Sequence, residues 1–235
     1  MMRLLALLLS LGLAGPVGAE CRQALALGLD VSGSVDAREY RLQIGGLADA
    51  LSDPEVREKL MAMPSAPVRL MVYEWSGAVD QAVIVPWTVI DGEPALEVLI
   101  ATLRGTARRD ASPGTALGVA MKTGERFLMQ QQGCWKRTLD ISGDGKSNLG
   151  PRPRDLRDEI ARSGITINGL VIGIDDPGMG DLRQAEIGEL AAYFSAEVIL
   201  GPNAFVQTAL GFADYARAMR EKLIRELEGL VVSQL

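Results

Sequence analysis

Histidine is absent from all 235 residues of this chain. Without an imidazole there is no Ser-His-Asp triad, no Cys-His dyad and no His-ligated zinc or iron centre. Cysteine is scarce: Cys21 and Cys134 are the only two, so a four-cysteine metal site is excluded as well. Basic residues are outnumbered, 24 Lys and Arg against 30 Asp and Glu, for a net charge of −6. That deficit argues against nucleic acid and against an anionic membrane surface, because both select basic patches. Charges or glycines interrupt every apolar run beyond the N-terminus, so no later segment reads as membrane-spanning. Internal repeats, low-complexity tracts and a second-domain linker are missing too.

The apolar N-terminus reads as a secretory signal over residues 1–19. Arg3 supplies its positive start, residues 4–13 its short apolar core, and Val17-Gly18-Ala19 a small-residue cleavage site. The run is too short to span a bilayer as a mature helix. Glu20 stands where a lipobox before Cys21 needs a small residue, which argues against a lipid anchor. The expectation is a secreted or periplasmic product, residues 20–235, without membrane insertion and large enough for one sizeable α/β domain. Its oligomeric state is left open.

Strand and helix patterns alternate along that domain. Residues 24–29 form an uncharged Leu/Ala run of buried-strand type. Residues 36–51 are amphipathic, with Tyr40, Ile44, Leu47 and Leu51 at helical spacing. Strands follow at 68–75 and 82–89, joined by so short a turn that the second reads as an antiparallel edge, which tolerates Pro86. Helices are expected at 93–103 and 115–131, a fourth strand at 137–141, a helix at 153–163 and a fifth strand at 166–174. Then come an acidic loop at 175–181, a helix at 182–194 and a sixth strand at 197–200. A long last helix, capped by Asn203, runs to about Glu228. This rhythm predicts a doubly wound, mostly parallel six-stranded sheet with one antiparallel edge strand and helices on both faces.

Ligands in such sheets sit beyond the C-terminal ends of the strands, where strand order reverses. Three loops expected at that edge carry oxygen. Asp30, Ser32 and Ser34 alternate on the turn after the first strand; Thr115 closes Ser112-Pro113-Gly114-Thr115; Asp144 lies in Ser142-Gly143-Asp144-Gly145. Each loop alone reads more readily as turn formation or helix capping, and the order and spacing of all three reverse that judgement. Oxygen-only ligands on tight loops also suit a hard divalent cation such as Mg²⁺, with Mn²⁺ or Ca²⁺ as alternatives.

The ordered set resembles the von Willebrand factor A-like domain, integrin I-like, with its metal-ion-dependent adhesion site. Asp30-Val31-Ser32-Gly33-Ser34 is similar to the family's first motif, Thr115 to its second and Asp144 to its third; the family usually has Thr where Gly143 stands. Residues 73–77, 85–90, 141–148, 164–173 and 201–205 further resemble a bacterial secreted branch of that superfamily, a likeness that implies fold and site rather than a biochemical role. The resemblance implies that Ser32, Ser34 and Thr115 ligate a metal directly. It implies that Asp30 and Asp144 act partly through water, and that an Asp or Glu of a protein partner completes the octahedron. Ser142 is a candidate for the missing hydroxyl. In this fold the first and fourth strands are parallel neighbours, so Cys21 and Cys134 are expected at one depth near the opposite sheet edge, bridged in an exported protein.

The leading expectation is therefore a non-enzymatic, cation-dependent protein-binding module. One alternative is a structural or assembly factor with a vestigial metal site, which Gly143 motivates. Another is a metal-dependent phosphate-ester hydrolase with Asp30 as nucleophile; Ser32 breaks its Asp-x-Asp pattern, and no Lys lies between Ser112 and Ala120. Around the site, Trp75 reads as a partner anchor or as core. Arg104, Arg108 and Arg109 read as steering charges or plain surface. Asp175, Asp176 and Asp181 read as a solvated loop or a second cation site. In the last helix, Arg217–Glu221, Glu221–Arg225 and Lys222–Glu226 read as i, i+4 supports, and Phe205, Leu210, Ala213 and Met219 as its sheet-facing side.

Overall fold

The computed structural model describes residues 21–173 and 181–228. The expected signal segment, Asp175, Asp176, the Asp181 side chain and residues 230–235 lie outside what is described. The strands are β1 (Cys21–Asp30), β2 (Val68–Trp75), β3 (Gln81–Ile90), β4 (Cys134–Gly143), β5 (Thr166–Ile172) and β6 (Val206–Ala209). They form one sheet in the order β3-β2-β1-β4-β5-β6. β3 pairs antiparallel with β2 at the edge, and every other pairing is parallel. The helices are α1 (Ala37–Ser52), α2 (Pro54–Met61), α3 (Glu93–Gly105), α4 (Leu117–Leu128), α5 (Pro153–Ala161), α6 (Asp181–Tyr193) and α7 (Tyr215–Glu228).

All ten residues of β1 are buried, as a central strand requires. Its alternation divides the core. Leu25, Leu27 and Leu29 face Tyr40 and Leu47 of α1, Leu99 of α3 and Leu223 of α7. Ala24 and Ala26 face the opposite side, with Leu117, Ala120 and Met121 of α4. Small residues are needed there because Tyr73 of β2 crosses that face and donates to the Ala120 carbonyl at 2.8 Å. A Cβ added at Gly28 would stand 2.7 Å from the Tyr73 hydroxyl.

β1 leads out to β2 and β3 on one side, while β4, β5 and β6 build the other, so strand order reverses between β1 and β4. Their register runs from Cys21↔Cys134 to Gly28↔Ile141. The two cysteines are disulfide-bonded with Cα atoms 4.6 Å apart, at the edge opposite to Asp30 and Asp144.

Several boundaries differ from the expectations. α2 begins at Pro54 after Asp53, whose carboxylate accepts from the Glu55 and Val56 amides; a capped Pro start is a local signal that hydrophobic periodicity does not register. The sixth strand is Val206–Ala209 rather than 197–200, because Phe194–Val198 continues α6 as a π-helical turn that buries Phe194 and Val198. Leu200 makes only an isolated antiparallel bridge to Ile167. Asn203 caps no helix: it occupies a left-handed turn at φ 58°, and α7 begins at Tyr215. Phe205, Leu210 and Ala213 therefore precede α7 and are not part of its buried side, which keeps Met219.

Candidate metal centre

Asp30 ends β1 and is fully buried. Gln43 of α1 donates to its carbonyl at 2.9 Å, and the Ser32 amide donates to its Oδ1 at 2.8 Å, an Asx-type turn that folds the loop back over the strand end. Oδ2 is buried with no hydrogen-bond partner. The turn sets the Ser32 and Ser34 hydroxyls 3.2 Å apart, and Ser34 Oγ donates to Asp144 Oδ1 at 2.8 Å. Loops 110 residues apart in sequence thus meet through side chains. Asp36 then caps α1, completing a capping box with Glu39.

Thr115 reaches the same rim through its backbone. The Gly33 amide donates to the Pro113 carbonyl at 3.1 Å, and the Ala116 amide to the Ser76 carbonyl at 2.8 Å. Asn148 clamps Thr115 from the third loop. Its Oδ1 accepts from the Thr115 amide at 2.9 Å, its amide donates to the Thr115 carbonyl at 3.0 Å, and its Nδ2 donates to Thr115 Oγ1 at 3.5 Å. Neither Asn148 nor Gln43 belongs to the residues expected at the site. Gln43 carries a signal in the sequence, a polar residue three positions after Tyr40 on an apolar helix face; Asn148 has none beyond its place at 148, four residues after Asp144.

Electrostatics set Asp30 apart. Burial first, and then the nearby charge of Asp144, push its carboxyl up to about 8, against the pull of the Ser32 hydrogen bonds. Burial also raises Asp144, while the Ser34 hydrogen bond pulls it down. The structure thus brings together the Asp30 and Asp144 carboxyls and the Ser32 and Ser34 hydroxyls, oxygen donors of the hard type, while the Thr115 hydroxyl lies against Asn148. In keeping with that, no group of three or more His, Cys, Asp or Glu suited to a metal occurs among the described residues.

The remaining candidates resolve differently. The Ser142 hydroxyl lies 3.1 Å from the Tyr215 hydroxyl, in the core, and does not replace the missing threonine. Gly143 instead leaves room for packing: a Cβ there would stand 3.3 Å from Asp30 Oδ2, 3.4 Å from Phe194 and 3.5 Å from Trp75. Trp75 is core, fully buried. Arg109 donates to the buried Glu74 at 2.9 Å, Arg108 to the Val35 carbonyl at 3.0 Å and Arg104 to Asp49 at 3.1 Å, so all three brace the scaffold. Arg217–Glu221 is a surface pair, whereas Lys222 and Glu226 are buried and bound to Asp140 and Asn168 of the sheet.

Solved structures share this fold. Proximal thread matrix protein 1 from the mussel byssus, with its MIDAS motif occupied by zinc, superposes with a TM-score of 0.59 at 11% identity, covering 90% of this chain and 47% of that one. The pilus adhesin SpaC from Lactobacillus rhamnosus GG gives 0.59 at 12% identity, over 89% of this chain and 30% of the adhesin. An aerotolerance-related membrane protein from Bacteroides fragilis NCTC 9343 gives 0.54 at 14% identity, over 86% and 98%. The chain thus spans about half the length of the mussel protein and under a third of the adhesin. No curated protein matches by sequence. The fold is that of a von Willebrand factor A-like α/β domain. Within that class, the chain belongs to the family described as "Protein of unknown function (DUF1194)", whose model matches residues 20–231.

Proposed function

We propose that the chain is an exported, divalent-cation-dependent protein-binding module rather than an enzyme. The observation that carries this reading is the meeting of the first and third loops at Ser34 Oγ and Asp144 Oδ1, 2.8 Å apart, beside the orphaned Asp30 Oδ2. Ser32, Ser34 and Thr115 would hold the ion through hydroxyls, and Asp30 and Asp144 through carboxylate or bound water. Mg²⁺ fits best because it keeps several waters and needs few protein ligands; Mn²⁺ and Ca²⁺ are the other oxygen-seeking choices. A bound cation supplies a charge that two crowded carboxylates lack. With so few anionic ligands it stays able to take an Asp or Glu from a partner. The adhesion and matrix proteins among the structural relatives support a binding role. Among the described residues no helix is long and apolar enough to cross a membrane.

Calorimetric titration with Mg²⁺ or Mn²⁺ tests the reading: the native chain gives a saturable isotherm and Asp30→Ala abolishes it. Identical featureless traces from both remove the metal from the account. Gly143 favours the second reading, a structural module whose metal site is vestigial. Cross-linking of partners in excess chelator separates the two, since capture that persists without metal supports the vestigial site.

A further inference from the structure

The loop that carries Ser32 and Ser34 leaves β1 at Asp30 and enters α1 after Asp36, and its backbone bonds show what holds its shape. Its amides find partners on the loop itself or on neighbouring ones. Val31 donates to the Trp75 carbonyl at 2.9 Å, Ser32 to Asp30 Oδ1 at 2.8 Å, Gly33 to the Pro113 carbonyl at 3.1 Å and Val35 to the Ser32 carbonyl at 3.1 Å. The carbonyls of Val31 and Val35 turn to a side chain instead. Arg108 Nη2 donates to the Val35 carbonyl at 3.0 Å and reaches the Val31 carbonyl at 3.4 Å. Both valines are buried, where a carbonyl that loses its donor is costly.

These two carbonyls bracket Ser32 and Ser34. One guanidinium nitrogen thus ties both ends of the ligating segment to a residue more than seventy positions later. Arg108 lies on the connection between α3 and α4, which also supplies Pro113, the acceptor for Gly33, and then Thr115. That connection is itself anchored: Arg109 donates to the buried Glu74 at 2.9 Å, and the Ser112 amide to Asp80 Oδ2 at 3.1 Å. Arg109 therefore meets carboxylate, whereas Arg108 meets main chain, the contact of a residue that shapes a loop.

We propose that Arg108 is a positioning residue of the metal centre. It keeps the first loop in the shape that presents the Ser32 and Ser34 hydroxyls even when no cation is bound, and so raises cation affinity without touching the ion. This role rests on the cation-binding reading above. Charge alone predicts the opposite sign, because an arginine near a divalent cation repels it and its removal would tighten binding. The direction of the change therefore tells shape from charge.

Calorimetric titration with Mn²⁺ tests it, on the native chain and on Arg108→Gln, Arg108→Lys and Val56→Ala, each confirmed folded by circular dichroism. Val56 is buried in α2, so its truncation controls for a general loss of stability. Arg108→Gln weakens binding about tenfold. Arg108→Lys, whose Nζ can still donate to two carbonyls, restores part of that loss, and Val56→Ala binds as the native chain does. In excess chelator, the Gly33 and Val35 amides of Arg108→Gln exchange with deuterium about tenfold faster than in the native chain, while the amides of β5 keep their rate. Unchanged or tighter Mn²⁺ binding by Arg108→Gln, or loop exchange at the native rate, overturns the positioning role. A native chain that binds no cation overturns the metal reading and this role with it, a result distinct from the first failure, in which native chain and variant both bind.

Discussion

Gly143 stands where the resembled family usually has Thr, and its surroundings bound what a side chain could do there. A Cβ placed there would press on Asp30 Oδ2 at 3.3 Å and touch Phe194 at 3.4 Å and Trp75 at 3.5 Å, so the further atoms of a threonine have little room. Gly143→Thr is therefore expected to overpack the core and cost about 1–3 kcal/mol, read as a lower urea midpoint at unchanged slope. Asp30 yields a second expectation. Its carboxyl is raised from 3.8 to about 8, so between those values the folded chain holds a proton that the unfolded chain has released. Metal-free stability then falls as pH rises from about 4 to 8. Asp140, raised well above its ordinary value by burial, contributes in the same direction, so the test is a comparison. Thermal scans in chelator should show a shallower fall for Asp30→Asn than for the native chain.

Elements differ in how plainly the sequence announces them. β1 is legible because a strand buried on both faces must be apolar throughout, and no other element competes for an uncharged run beside a Ser/Gly turn. β6 is not: four largely half-buried residues carry no strong alternation, and the apolar stretch before it serves a π-helical turn. The same limit hides the fate of Lys222. Its spacing to Glu226 suits a surface support, and only the docking of α7 onto β4 and β5 shows it buried against Asp140. Replacing Lys222 with Met strands two buried carboxylates and should cost about 3–5 kcal/mol, measured by chemical denaturation. The disulfide joins residues 113 apart. Replacing both cysteines with Ser should remove about 4–5 kcal/mol in the chain-entropy account, read from the same denaturation curves. The loops carrying Asp30, Ser32, Ser34 and Asp144 are legible in the sequence by their spacing, and the structure brings Ser32, Ser34 and Asp144 within hydrogen-bond reach of one another. The residues that hold them, Gln43 and Asn148, act across elements and leave little trace in any local pattern.

At the scale of the molecule, the two ends of the sheet carry opposite character. The Asp30 end crowds two carboxylates together, and the disulfide end sets Lys136, Arg137 and Arg225 around a cavity that Glu226 also lines. The proposed cation site would add to global stability: at a free Mg²⁺ concentration one hundred times the dissociation constant, about 2.7 kcal/mol is expected. A melting temperature indifferent to Mg²⁺ at every concentration would contradict it. The pairing of β1 with β4 gives this arrangement a further consequence. These strands are tweezers welded at the handle by Cys21 and Cys134, with Asp30 and Asp144 at the tips. Neither arm can slide along the other without breaking the weld or the hydrogen bonds between them. The gap at the tips is thus machined during folding, before anything arrives to be gripped.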